Sequence, residues 1–584
     1  MSNAFDKASL VMLPHAYEEG KVYSLKPTDR SGDFTFSRGT DTATRVGEDG
    51  YIKKEYANLL EQSNTFDTTW TTTNSTVTGG QSGYDGSSDA WLLTKSAASG
   101  LIKQNYNTSG VYTYSVYAKA GSSNWVQLHS NGRFAQYFDL QNGVVGTFFG
   151  TIITAEIEDV GNGWYRCSVT DNGSNGGELR IYPAEGQDDV SGTSGSIYIQ
   201  DAQLEQGLVA TDVIETTTSA VYTGITDNVP RLDYDGDCPS LLLEPQRTNL
   251  ASSEYFEIFW STSSGGTRIY NEIISPEGIQ NGTKIYPTTT GSFRGLSKAF
   301  GSTLSNTSYA LSVFAKAGEF EHLFFYNVGS PDGNNGVWFN LTTGNVGTNQ
   351  SAWSSAKMED FGNGWYRCSA IITVGGSSDN LYILLADSNG SVTATTNGTD
   401  GLYLYGAQIE EGSYATSYIP TYGTTVTRNA DTSATNPLQP NVIKSTDSYS
   451  IFFDISNDEG GDTADAGNSQ WLKGRNSLGA NIWSLRKSNF NGLKQHSLYL
   501  NIDSDYVFLH QTINKACFVF TSNEVKIFLD GSLNATYTTT NSPLDFDKIA
   551  LDYGTSDRTT IIISSLVLFS QALTNEEAIA LTTV

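Results

Sequence analysis

The octapeptide GNGWYRCS occurs at 161–168 and again at 362–369. A string holding Gly, Trp and Cys does not recur by accident of composition, so part of this chain is present twice. The match grows outward from it. Upstream, TYSVYAKAG (113–121) pairs with ALSVFAKAG (310–318), and YFDLQNGVVGT (137–147) with WFNLTTGNVGT (338–348). Downstream, IYIQDAQLEQG (197–207) pairs with LYLYGAQIEEG (402–412). The openings agree as well: Asn58-Leu59, Phe66 and Trp70 correspond to Asn249-Leu250, Phe256 and Trp260. Two tandem domains of one kind are predicted, at 57–222 and 247–431.

The matched segments carry the period of strands. Tyr114, Val116 and Ala118 alternate with Ser115, Tyr117 and Lys119, as in a half-buried strand. Gly161-Asn162-Gly163 supplies residues that tolerate positive φ, as a tight hairpin demands. In the strand that follows, Trp164, Arg166 and Ser168 face one way, and Tyr165, Cys167 and Val169 the other. Short strands at regular spacing, separated by such turns, predict an all-β protein of tandem β-sandwich jelly-roll domains.

The repeated octapeptide has two readings. In one, Trp164 and Trp365 are sugar-stacking platforms. In the other it is a hairpin turn with an aromatic anchor, and Trp164, Arg166, Cys167, Trp365, Arg367 and Cys368 are structural. The loops beside it differ between the copies (SSNWVQLHSNGR at 122–133 against EFEHLFFYNVGSPDGN at 319–334). Identity in the hairpin with divergence in the loops favours the structural reading. Arg166 and Arg367 are expected to pair with Asp159 and Asp360 on the same hairpins.

Asp and Glu outnumber Lys and Arg by 62 to 34, a net charge of −28. Such a polyanion is repelled by nucleic acids and acidic membranes, and no basic run exceeds a dipeptide such as Lys53-Lys54. The four cysteines, Cys167, Cys238, Cys368 and Cys517, show no metal-binding spacing. They read as reduced, with Cys167 and Cys368 as small apolar core residues. The N-terminus has no basic region followed by an apolar core, and no apolar run is long enough to span a bilayer, so synthesis and folding in a cytoplasm are expected.

Outside the repeats, residues 1–56 are predicted to be a docking segment. Residues 223–246 are predicted to be a Pro-containing rigid connector (Pro230, Pro239, Pro245), and 432–444 a linker. The C-terminal region, 445–584, opens with YSIFFDIS and contains VKIFLDGSLNATY, a strand, a DG turn and a returning strand. Thr574 and Glu577 form a capping box ahead of a short helix at about 575–581. This pattern is similar to laminin-G-like, concanavalin A-like sandwiches.

The segments FDKASLVMLPHAYEEGKVYSLKP, FTFSRGTDTATRV and CPSLLLEPQRTNL, with the two YAKAG…GNGWYRCS modules, cover most of the chain. Together they resemble bacteriophage virion surface proteins: head-fibre, spike or tail-fibre proteins with carbohydrate-binding-module-like and concanavalin A-like domains. The resemblance implies a homo-oligomeric, trimeric appendage held by other virion proteins, on the capsid or on the tail.

Glycoside hydrolysis needs two carboxylates flanking the scissile bond. The nearest candidates, Glu156 and Glu158, correspond to Lys357 and Glu359 in the second copy, so one carboxylate is replaced by a cation. The histidines (His15, His129, His322, His496, His510) form no ligand spacing, and there is no G-x-S-x-G elbow. No enzyme and no cofactor are expected. Asp458, Asp462 and Asp465 lie in a Gly-rich stretch whose oxygens suit calcium, with a solvated loop as the alternative. Trp125, Phe324 and Tyr326 are the candidates for stacking on sugars. The expected function is therefore structural and adhesive, with weak binding of host surface glycans. A tailspike depolymerase and a secreted carbohydrate-binding protein are the alternatives.

Overall fold

Strand Gly110–Ala120 shows how each repeat is built. Tyr114, Val116 and Ala118 enter the core between two sheets, while Tyr117 packs on the opposite face against Trp164. The computed structural model describes the chain apart from residues 1–4, 174–175, 236–237, 253–255, 257–259, 300–306, 329–334, 375–379, 444–447, 457–468, 491–492, 501–504, 510–512, 540–545, 553–559 and 584.

Among the described residues each repeat is a sandwich of two six-stranded antiparallel sheets. In the first repeat, one sheet runs Thr154–Gly161, Trp164–Gly173, Gly110–Ala120, Ser196–Gln206, Ala90–Lys95, Ser75–Gln81. The other runs Val144–Gly150, Phe134–Asp139, Trp125–Ser130, Gly177–Ala184, Leu101–Tyr106, Thr71–Thr73. The second repeat has the same strand order. The GNG hairpins take positive φ at all three residues in both copies, 90°, 55° and 77° in the first and 74°, 53° and 78° in the second. That is why small, permissive residues stand there.

One buried asparagine per repeat ties the entering chain to the sandwich. Asn58 donates to the carbonyls of Ala202 and Ile214 and accepts from the amides of Leu60 and Leu204. Asn249 repeats all four bonds with Ala407, Ile419, Ala251 and Ile409. The AQLE and AQIE segments add a second shared device. Gln203 donates to Glu205 at 2.6 Å, and Glu205 accepts from Thr211; Gln408, Glu410 and Thr416 do the same. A buried amide or carboxylate is tolerated where its bonding capacity is met, and these groups fix the loop that closes each domain.

The third sandwich is assembled from four separated stretches of chain. Leu10–Met12 and Cys238–Leu243 pair with opposite ends of one edge of Ile561–Phe569, and Ser448–Ser456 pairs with its other edge. In the facing sheet, Phe34–Ser37 pairs with Thr432–Thr435, which pairs with Lys548–Asp552. Leu10, Met12, Phe34, Leu241, Leu243, Val442 and Ile443 share one core with Phe453, Trp483 and Phe520. The capping box at Thr574 forms as expected, and its helix runs Asn575–Thr582.

Three expectations are thereby corrected. Residues 1–56 do not stand apart as a segment of their own, because Leu10, Met12, Val22, Phe34 and Phe36 complete the third core. The connector 223–246 is not a rigid spacer: Arg231–Asp235 and Cys238–Leu243 form a hairpin with Pro239 within its second strand. The linker 432–444 supplies the strand Thr432–Thr435 and the buried Leu438, Val442 and Ile443. In each case the proline or turn signals were legible, but the partner strand lies hundreds of residues away.

A buried ionic network joins these stretches. Glu244 accepts from Arg231 and Arg428, each at 2.7 Å, and Asp431 pairs with Arg231 and with Arg38. All five side chains are within 2% of complete burial. The spare guanidinium donors reach carbonyls of Thr40, Thr226, Val229, Thr44 and Pro245. The planar fork of arginine suits such divided bonding. Burial alone would raise the Glu244 pKa, but Arg428, Arg231 and the hydrogen bonds from Ser417 hold it well below the carboxylate range.

Glu244→Gln should lower unfolding stability by roughly 3–5 kcal/mol at neutral pH, because it strands buried arginines; denaturant titration measures this. A depressed carboxylate pKa stabilises above its unfolded value of about 4.3 and loses that contribution as pH falls further, so the wild-type advantage should shrink on acidification. A chain lacking residues 1–37 should lose the cooperative calorimetric transition of the third sandwich, since Leu10, Met12, Val22, Phe34 and Phe36 leave its core.

Candidate functional site

A groove opens where the ribbon of Glu55–Asn58 and Val221–Gly224 meets the first repeat. These two short strands pair antiparallel, with Tyr222 opposite Ala57 and Gly224 opposite Glu55. The opposing wall is the end of Leu101–Tyr106 with residues 107–108, together with Tyr112 and Gln206 from the paired strands Gly110–Ala120 and Ser196–Gln206. The groove has a volume of about 490 Å³, within the range of small-molecule sites.

Its lining is aromatic and polar. Tyr56, Tyr106, Tyr112 and Tyr222 all reach it, with Tyr222 52% exposed and the others half-buried. Two hydroxyls are held by neighbours: Tyr112 accepts from Gln206 Nε2 at 3.0 Å, and Tyr106 shares a 2.7 Å hydrogen bond with Ser130. Asn105, Asn107, Thr108 and Gln206 add amide and hydroxyl groups, and Asp41, Glu55 and Glu205 add carboxyls. Burial, then repulsion from Asp41 and Asp227, pushes the Glu55 pKa up to about 8, with Arg38 acting in the opposite direction. Ring faces beside hydrogen-bonding groups can hold a polyhydroxylated ligand, stacking on its C–H face while bonding its hydroxyls.

The second repeat differs at the matching described positions. The residue at the position of Tyr56 is Arg247, which lies 3.8 Å from Glu410 and over the ring of Tyr414. Tyr309, the counterpart of Tyr112, is buried.

The residues singled out from sequence lie elsewhere. Phe324 stacks on Trp338 with centroids 5.0 Å apart, and Tyr326 packs on Phe293 at 4.9 Å. Both are buried, Phe324 fully, so neither offers a face to a sugar; this corrects their assignment as stacking residues. Trp125 is half-buried at the start of Trp125–Ser130, with its ring against Gly146. Asp458, Asp462 and Asp465 lie outside the described residues, and no group of His, Cys, Asp or Glu suited to a metal occurs among those described.

Trp164 and Trp365 are 1% and 2% exposed. Trp164 is covered within its own repeat, by Tyr84, Tyr117 and Tyr198. Trp365 shares a cluster with Val111, Leu208 and Ile52 from outside its repeat and with Tyr405 and Tyr418 from within it, and its Nε1 donates to the carbonyl of Ile274 at 3.0 Å. Cys167 and Cys368 are buried thiols in the two sandwich cores. Arg166 and Arg367 do not pair with Asp159 and Asp360. They donate to Ser115 and Ser312 and lie over Tyr117 and Phe314, while the two aspartates accept from the turn amides of Gly161 and Gly362. The strand alternation turns each arginine inward and leaves the aspartate at the solvated bend.

Glu156 accepts from Asn271 Nδ2 at 2.8 Å, a contact between the two repeats. His129 is half-buried beside Tyr182 and Arg180, and burial brings its pKa down to about 4. A smaller cavity of about 140 Å³ lies at the junction, lined by Arg45, Asp233, Glu244 and Arg367.

No described protein family matches the chain. No curated protein sequence matches it. Among solved structures it is similar to the N-terminal CBM22-1–CBM22-2 tandem domain of Xyn10C from Paenibacillus barcinonensis, at 13% identity and a TM-score of 0.22. That match covers 64% of this chain and 99% of the other.

The groove residues come from five separate stretches and carry no shared motif, so sequence reasoning had no handle on them. Glu55 offers a direct check. An acid whose pKa is raised on folding contributes most below its unfolded value, and that contribution is lost as pH rises through about 8. Glu55→Gln should therefore melt above the wild type at pH 9, with the gap closing toward pH 5, in thermal unfolding followed by circular dichroism.

Proposed function

We propose that this protein is a glycan-binding, adhesive surface protein, and that the tyrosine-lined groove of the first repeat is its binding site. One observation carries the reading: four tyrosines and several amide side chains converge on an open volume of about 490 Å³. Tyr106 and Tyr112 also pack against the core of the first repeat, whereas Tyr222 is 52% exposed on the groove. In the second repeat the position of Tyr56 is held by Arg247, beside Glu410. The proposed role is binding rather than catalysis, with weak single contacts multiplied by display of several copies.

The proposed setting, from the sequence resemblance, is the surface of a phage particle, as a head fibre, capsid decoration or tail fibre in a homo-oligomer. Immunogold electron microscopy with antibody against the folded chain tests it. Gold on capsid or tail supports the setting, and label confined to the culture fluid removes it.

Binding itself is tested by retention of the full-length chain on a glycan array. Tyr222→Ala should weaken retention by roughly tenfold, the usual cost of truncating an aromatic anchor. Trp125→Ala should leave it unchanged, since Trp125 does not line the groove. Equal retention of wild type and Tyr222→Ala would exclude this groove as the site.

A further inference from the structure

The groove has a charge pattern that selects among glycans. Among the described residues its lining contains Asp41, Glu55 and Glu205 and no Lys, Arg or His. Glu205 is spoken for, by Gln203 and Thr211. Asp41 and Glu55 have no hydrogen-bond or ion-pair partner among the described residues. The cations nearby are committed elsewhere. Arg38 spends its donors on Thr40, Thr226, Val229 and Asp431, and Lys54 pairs with Glu277 at 2.6 Å. An open pocket therefore presents two uncompensated carboxyls beside tyrosine rings, with a third acid, Asp227, acting on Glu55 from nearby.

Resting on the glycan reading above, we propose that the groove takes an amine-bearing glycan, a hexosamine unit whose free ammonium is held by Glu55 and Asp41 while the tyrosines hold the ring. An anionic sugar would add a like charge to the acids already there. A neutral sugar would leave both carboxyls unpaired. An ammonium group supplies the missing charge and donates up to three hydrogen bonds. The arrival of that charge also moves a proton. Glu55 holds its proton at neutral pH because of burial and the repulsion of Asp41 and Asp227, opposed by Arg38. Beside an ammonium the carboxylate form is favoured, so the carboxyl O–H is released to buffer as an ion pair forms.

The test uses the full-length chain and pairs of oligosaccharides differing only at the amine: glucosamine and galactosamine oligomers, each free and N-acetylated. Isothermal titration calorimetry at pH 6, in two buffers of different ionisation enthalpy, reads affinity and proton release together. The free-amine forms should bind at least roughly tenfold tighter, as expected for a charge-assisted hydrogen bond, and release a proton to the buffer. Glu55→Gln, which keeps the shape of the side chain, should abolish the proton release and bring the affinity ratio of free to acetylated forms toward one. Asp41→Asn, at an exposed position, should reduce the same ratio.

Equal binding of free and N-acetylated forms would overturn the amine preference and leave the glycan reading intact. A preference that persists unchanged in both variants would overturn the assignment to Glu55 and Asp41. Binding to none of the four, together with an empty glycan array, would remove the glycan reading as well.

Discussion

The architecture depends on Glu244 and its buried arginines. Removing these charges from water is costly, and the cost is met only when Arg231, Arg428, Arg38 and Asp431 are all in place with their carbonyl partners. Those residues belong to the N-terminal segment, the stretch between the repeats and the C-terminal end of the second repeat. Ser417 of the second repeat also bonds Glu244, through its amide at 2.8 Å. The network is therefore satisfied by one arrangement of distant pieces of chain. Apolar burial supplies the driving force for the third sandwich; the ionic network specifies which strands may join it.

The two repeats are copies in fold but not in situation. Each turns an aromatic pair outward from the first sheet: Tyr117 with Trp164, and Phe314 with Trp365. In the first repeat a local loop bearing Tyr84 covers the pair, and Tyr84 stacks on Tyr117 at 3.8 Å. In the second repeat the pair shares its cluster with Val111 and Leu208 of the first repeat as well as with its own Tyr405 and Tyr418. The close contact is visible at Gly110, where an added Cβ would lie 2.2 Å from the carbonyl of Tyr422. The copies differ beside the groove as well, where Tyr56 of the first repeat is matched by Arg247 in the second.

Much of the fold was legible because its signals are local. Tyr114, Val116 and Ala118 announce a strand with one core face, and GNG announces a hairpin whose φ angles only small residues adopt readily. The Thr574 capping box marks a helix start within four residues. Repetition added a second kind of evidence. Asn58 and Asn249 recur ahead of their domains because each makes the same four buried bonds. The glycan candidates fared worse for a physical reason. Phe324 and Tyr326 sit in a stretch that reads as a divergent loop, yet they lie on the strand His322–Val328, and loops and strands from elsewhere cover them.

The sequence by itself determined the all-β class, the two matched domains, their hairpins and the alternation that assigns faces to side chains. These follow from interactions within a few residues, or from comparing one copy with the other. Only the tertiary structure decided that strands from residues 10–37, 231–243 and 432–435 belong to the third sandwich. It alone decided that Glu244 is the centre of a buried charge network, and that Tyr56, Tyr106, Tyr112 and Tyr222 meet around one groove. Strand pairing across hundreds of residues depends on complementary edges and on burial. Neither leaves a mark in the spacing of a single segment, so a groove made from five stretches becomes visible only once they have been brought together.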